Sequence, residues 1–143
     1  MSIPDDGFCE IFVEGQASEL DLEELIRQQG LIRNGEFLRF EGARYDLDLL
    51  ENEYRAQGEF AWTIENIVLF RFRLEIEPRT SVSRKDYVSA VARLFCGLRA
   101  AGWAAFAACE FEERLESSWK AWQLGKWEPK RWRAACRYFC WRF

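Results

Sequence analysis

The sequence predicts a single α+β domain with a mostly antiparallel sheet. First, 143 residues is close to the commonest domain length and is enough to bury one core. Second, apolar side chains at the even positions 68–76 alternate with charged ones at the odd positions 71–77, which is the period of a half-buried strand. Third, the segments 18–30 and 83–101 each combine a serine N-cap with apolar residues at helical spacing. Strands and helices are therefore mixed along one compact chain.

The N-terminal part of the chain predicts a strand, a helix, and then a second strand or a small hairpin. Residues 8–14 are rich in β-branched and aromatic side chains, as is typical of a strand. A helix is predicted to begin after Ser18 and to end at Gly30, since glycine commonly follows the last helical turn. Asn34 and Gly35 then stand between apolar residues, a strong signal for a hairpin turn.

The middle of the chain is interpreted as an acidic helical insertion followed by the central strand. Leu47, Leu50 and Tyr54 recur at helical spacing, which predicts a short helix over 46–57. The central strand is predicted over 62–77. Its first half is apolar on both faces, so we expect it to lie in the interior of the sheet.

The second predicted helix covers 83–101, and a last, alanine-rich strand covers 103–111. The order strand, helix, strand, strand, helix, strand resembles the ferredoxin-like arrangement of two split β-α-β units. The resemblance covers 8–111 and concerns the order of elements alone. It implies no activity, because this fold supports many functions.

Charge is divided unevenly along the chain. Residues 1–118 carry 23 acidic and 13 basic side chains, a net charge of −10. Residues 119–143 carry seven basic side chains and one acidic one, a net charge of +6. We therefore interpret 1–118 as an acidic α+β core domain and 119–143 as a basic, Trp-rich C-terminal extension packed on it.

The extension allows two interpretations. Its basic residues interleave with tryptophans, which suits contact with nucleic-acid phosphates and bases. Alternatively, the helical spacing of apolar residues from Leu115 onwards favours a helix docked on the core. We expect the second arrangement, across the sheet face that the helices leave open, because the predicted strands are apolar on both faces. Its basic residues, which would then point outwards, are Lys120, Lys126, Lys130, Arg131, Arg133, Arg137 and Arg142.

The residue inventory disfavours several kinds of site. The chain has no histidine, which removes the commonest general base and the commonest metal ligand. Glu75 and Glu77 share one strand face and could in principle bind a cation, but a strand face that is exposed to water accounts for both carboxylates. Cys136 and Cys140 lack the further ligands of a zinc site. We therefore predict no catalytic residue, no metal site and no cofactor.

Neither a secretory signal nor a membrane span is predicted. The chain opens with polar and acidic residues, and no apolar run approaches the roughly 18 residues of a span. Five cysteines without a CxxC pair fit a reducing compartment. We expect a cytoplasmic protein that does not enter membranes, either a monomer or a homodimer.

Elimination and charge together predict a non-catalytic, macromolecule-binding protein. The most concrete form is a small acidic bacterial immunity or inhibitor protein that neutralises a basic toxin or defence protein, because opposite charge speeds association. The alternatives are a nucleic-acid-associated regulator acting through the extension and a histidine-independent carboxylate or metal enzyme. The predicted partner-binding residues are Glu19, Glu23, Glu24, Asp46, Asp48, Glu51 and Glu53.

Overall fold

Six strands and three helices lie within residues 7–35, 38–51 and 70–125, which the computed structural model describes. The strands are β1 Cys9–Glu14, β2 Ile32–Asn34, β3 Arg39–Glu41, β4 Tyr45–Glu51, β5 Phe72–Pro78 and β6 Ala104–Ala108. The helices are α1 Glu19–Gln28, α2 Arg84–Ala100 and α3 Glu112–Gln123. The strands form one antiparallel sheet in the order β2-β3-β4-β5-β1-β6. The predicted fold class, a small single-domain α+β protein, is confirmed.

The first two helices begin and end where the sequence predicts. Ser18 accepts a hydrogen bond from the Asp21 N–H at 3.2 Å, and the Asp21 carboxylate accepts one from the Ser18 N–H at 3.1 Å. This reciprocal capping box starts α1. The hydroxyl of Ser83 caps α2 in the same position. Gly30 and Gly102 follow the helices with φ of 90° and 97°, a left-handed conformation that glycine adopts without a steric penalty.

The core lies on one face of the sheet, beneath α1 and α2. Alternate residues of each long strand point into it, because successive strand side chains face opposite sides. The helices add Leu22 and Ile26 from α1, Val91 and Phe95 from α2, and Leu115 from α3. The strand residues that belong to this core are Cys9, Ile11, Val13, Phe40, Tyr45, Leu47, Leu49, Phe72, Leu74, Ile76 and Ala105.

The predicted helix over 46–57 is wrong where the structure describes it. Residues Tyr45–Glu51 form β4, which pairs along its whole length with β5. Buried Tyr45, Leu47 and Leu49 alternate there with half-buried Asp46 and Asp48, a period of two. Antiparallel pairing with β5 buries one face of this segment, and an isolated short helix has no comparable source of stability. The rest of the predicted helix, 52–57, lies outside the described residues.

The other predicted strands are found in shortened form. Within the predicted central strand, β5 spans Phe72–Pro78, while 62–69 lie outside the described residues. The predicted hairpin is present as β2 and β3. Asn34 pairs with Arg39, so the connection is longer than a two-residue turn. The last strand, β6, is confirmed at Ala104–Ala108.

The start of the predicted C-terminal helix packs beside α2. Leu115 is fully buried in the core, and Trp119 packs partly buried against that core. The predicted domain boundary between 118 and 119 falls within α3. The prediction that the segment from Leu115 onwards lies across the open sheet face is therefore wrong for α3, because its Leu115 packs into the core beside α2. For residues 126–143, which lie outside the described residues, it stays a prediction.

Gly15 lies against the ring of Trp103, and we expect Gly15→Ala to destabilise the fold. An added Cβ would lie 2.5 Å from Cε3 of Trp103, whose side chain is buried. Forcing a methyl group into such a contact costs about 1–3 kcal/mol of unfolding free energy. Urea denaturation measures the loss. Trp103→Phe removes the clashing ring atoms, so the double variant should lose less than the sum of the single variants. Additive losses would contradict the steric explanation.

Candidate partner-binding surface

The sheet face opposite the core carries most of the acidic groups of the strands. We call it the acidic sheet face. Its carboxylates alternate with core residues along β1, β3, β4 and β5. Among the residues of these four strands that point to this face, only Arg39 and Arg73 are basic. The carboxylates are Glu10, Glu14, Glu41, Asp46, Asp48, Glu75 and Glu77.

Strand register brings three of these carboxylates into one row. Asp48 of β4 lies opposite Glu75 of β5, and Glu75 lies opposite Glu10 of β1. Directly opposed like charges repel, so such a row needs neighbouring cations. Arg73 supplies one, since it contacts Glu10 at 3.1 Å and Glu75 at 3.3 Å. The row of acids is therefore held by ion pairs to a largely buried guanidinium.

Arg39 organises the other end of the acidic sheet face. Its guanidinium contacts Asp48 at 3.0 Å, Glu77 at 3.0 Å and Asp46 at 3.4 Å. Arg79 contacts the second oxygen of Asp46 at 3.0 Å. The hydrogen bond that Arg39 donates to Glu77, followed by those it donates to Asp48, raises the pKa of Arg39 above its ordinary value. The guanidinium therefore stays charged and fixes the surrounding carboxylates.

Not all of these acids are open to a partner. The side chain of Glu77 is 55% exposed and that of Asp48 36%, but that of Asp46 is only 15% exposed. Asp46 is also shared between two arginines. Glu77 and Asp48 are thus the carboxylates of the Arg39 cluster that a partner reaches most easily.

Aromatic side chains lie beside the acids on the same face. Phe12 of β1 is opposite Phe106 of β6 and also opposite Arg73 of β5. The ring of Phe106 is 41% exposed and meets Phe70 edge-to-face at 5.8 Å. Exposed aromatic rings next to charged groups are typical of protein-binding surfaces, where aromatic anchors contribute much of the affinity.

The predicted partner-binding residues fall into two separate groups. Glu19, Glu23 and Glu24 lie on α1, which packs on the core face of the sheet. Asp46 and Asp48 lie on the acidic sheet face. The structure therefore does not bring the two groups into one continuous rim. Glu51 is exposed at the end of β4, and Glu53 lies outside the described residues.

Glu23 is buried and paired with an arginine of the fold. It is 5% exposed and accepts a hydrogen bond from Nη1 of Arg33 at 3.0 Å, which ties α1 to β2. Such a buried carboxylate contributes little to an open binding surface, since a partner cannot reach it. On α1, Glu24 is exposed and Glu19 half-buried.

Sequence reasoning missed the role of Arg39 and the pairing of β4 with β5. The alternation from Tyr45 to Leu49 was the signal that Asp46 and Asp48 share one strand face. The same alternation places Glu75 and Glu77 on one strand face, as the sequence predicts. Their register, however, depends on contacts distant in sequence.

Two kinds of feature are absent from the described residues. Within 7–35, 38–51 and 70–125, no group of three or more acidic or cysteine side chains is arranged to hold a metal ion. In the same ranges, no helix is long and apolar enough to cross a membrane. The chain matches no protein-family model, no curated protein and no solved structure. The geometry of the acidic sheet face is therefore the basis for a functional proposal.

Proposed function

We propose that this chain is a non-catalytic binding protein that neutralises a basic protein, such as a toxin or a defence protein, by covering its positively charged surface. The observation that carries the proposal is the acidic sheet face. The strands present seven carboxylates and only two arginines on it. A surface with an excess of one sign of charge steers an oppositely charged partner and speeds association.

The fixed geometry of the acids supports binding over a mere solubility role. Arg39 and Arg73 hold Asp48, Glu77, Glu75 and Glu10 by ion pairs of 3.0–3.3 Å. Carboxylates held in place lose less conformational entropy when they meet a partner's cations. Phe106 adds an exposed apolar contact beside them. A partner with a basic, partly apolar surface would complement both features.

We also infer that β1, α1, β4, β5, α2 and β6 form a ferredoxin-like core to which the hairpin of β2 and β3 is added. The order β4-β5-β1-β6 with antiparallel neighbours supports this inference, since two split β-α-β units place their strands in that way. The two helices would then cover one face and leave the acidic sheet face for a partner.

Neutralising the exposed acids of the acidic sheet face should slow association. The test first identifies basic proteins encoded by genes next to that of this chain. Each is mixed with the full-length protein, and association is followed by stopped flow. Asp48→Asn with Glu77→Gln should lower the association rate constant by roughly threefold to tenfold at low salt, because the steering charge is reduced. Added salt should lower the wild-type rate in the same direction.

A matched control removes two charges elsewhere. Glu19→Gln with Glu24→Gln changes the net charge equally on α1, on the other side of the sheet. This pair should change the rate much less than the sheet-face pair. Equal effects of the two pairs would place the partner elsewhere, and an unneutralised toxin would contradict the proposed function itself.

A further inference from the structure

Two cysteines far apart in sequence meet at the ends of neighbouring strands. Glu10 of β1 pairs with Ala108 of β6, so Cys9 and Cys109 continue the same register by one step. Their sulfur atoms lie 3.1 Å apart, although 100 positions separate the residues in the chain. Both are thiols in this structure. The fold thus brings two thiols together at one end of the β1–β6 pair.

The geometry suits a covalent bond between these sulfurs. Residues directly opposite in an antiparallel pair have Cα atoms about 4.5–5.5 Å apart. A disulfide spans Cα distances of about 4.4–6.8 Å, so the backbone already lies within range. The sulfurs need to approach by only about 1 Å to reach bonding distance.

The two thiols differ in access and in acidity. Cys9 is fully buried, whereas Cys109 is partly exposed just beyond β6. The thiol of Cys9 donates to the sulfur of Cys109, and this hydrogen bond, with a further one from the backbone of Phe111, lowers the pKa of Cys109. The same contact and burial raise the pKa of Cys9. Cys109 is therefore the better nucleophile of the two.

We propose that Cys9 and Cys109 form a reversible redox site that a hydroperoxide converts into a disulfide. The thiolate sulfur of Cys109 attacks the terminal peroxide oxygen, the O–O bond breaks, and hydroxide or alkoxide leaves. Cys109 is thereby oxidised to a sulfenic acid, and the peroxide is reduced. The sulfur of Cys9 then attacks the sulfur of Cys109. Its proton goes to the departing hydroxyl, and water leaves as the disulfide forms.

The site is distinct from the acidic sheet face. Cys9 points into the core, on the side of the sheet that carries the helices. Oxidation would link β1 to β6 without using any carboxylate of the acidic sheet face. A thiol reductant would restore the two thiols by exchange.

Cys96 provides an internal comparison. It is fully buried in α2, and burial raises its pKa to about 12. A thiol in such surroundings reacts slowly, because the thiolate is the reactive form. Cys96→Ser is therefore a control variant whose Cys9–Cys109 bond should still form.

The experiment exposes the reduced full-length protein to hydrogen peroxide and maps disulfides by mass spectrometry after digestion without reductant. We expect a peptide pair joined through Cys9 and Cys109, with an intact mass lower by two hydrogen atoms for that bond. Dithiothreitol should reverse both changes. Circular dichroism first establishes that each variant is folded.

Variants assign the roles. Cys109→Ser should abolish the joined pair and leave Cys9 reduced, whereas Cys9→Ser should leave Cys109 as a trapped sulfenic acid that dimedone labels. Cys96→Ser should behave like the wild type. The proposal is overturned if Cys109 oxidises without joining Cys9, if Cys9 joins another cysteine, or if neither residue reacts at peroxide doses that modify the remaining thiols.

Discussion

Replacing Phe72 with alanine should lower the free energy of unfolding by about 3–5 kcal/mol, the loss typical of an aromatic ring removed from a packed core. Phe72 begins β5 and is fully buried. Its ring meets Trp103 edge-to-face at 6.4 Å, and its backbone lies opposite Val13 of β1. The vacated space is bordered by strands on both sides and by an indole ring, so the surroundings can collapse only in part.

Urea denaturation followed by tryptophan fluorescence measures this loss. Phe106→Ala is the matched control, because Phe106 lies in the same sheet on the opposite face and is 41% exposed. It should cost about 1 kcal/mol or less. Domains of this size are stable by only about 5–15 kcal/mol, so Phe72→Ala removes a large share of the total. Similar losses for the two variants would contradict the assignment of the core to one face.

Arg99→Met should destabilise the protein by about 2 kcal/mol, because one guanidinium joins α2, β6 and α3. Arg99 donates from Nε and Nη2 to the carbonyl of Ala105 at 3.0 and 2.7 Å. Its two terminal nitrogens also donate to the carboxylate of Glu116, both at 2.8 Å. The guanidinium carbon lies 4.2 Å from the centre of the Phe95 ring. Methionine keeps the apolar stem but removes all of these polar contacts.

The expected loss is smaller than for a fully buried ion pair, since the side chain of Glu116 is 46% exposed and regains water. Arg84→Met is the control. Arg84 is 56% exposed and contacts the equally exposed Glu110 at 3.6 Å, a surface pair worth about 0–1 kcal/mol. Thermal unfolding of both variants compares them. If Arg84→Met costs as much as Arg99→Met, the link between α2 and α3 is not a main source of stability.

Local patterns were sufficient where one segment's own residues decide its structure. The serine N-caps and the glycines at Gly30 and Gly102 mark helix ends through contacts within a few residues. The alternation in 68–77 likewise identified the strand face that buries Phe72. These features predicted both main helices and the position of β5.

The misassigned segment shows where local patterns fail. Leu47 and Leu50 fit a helical spacing, but Tyr45, Leu47 and Leu49 fit a strand equally well. The choice depends on β5, about 25 residues later in the chain, whose pairing buries one set of side chains. The acidic sheet face could not be assembled from sequence for the same reason, because cross-strand register joins Asp48 to Glu75 and Glu75 to Glu10.

The contact of Arg99 with Ala105 has a consequence for self-association. β6 and β2 are the outermost strands of the described sheet, and backbone groups on an outermost strand can recruit a strand from another molecule. On β6, the carbonyl of Ala105 already accepts hydrogen bonds from Arg99, which compete with those of an added strand. β2 limits recruitment differently, since three residues give a second strand little length to pair with. At the two outermost strands of the described sheet, a bound side chain and a short strand thus disfavour the addition of a further strand.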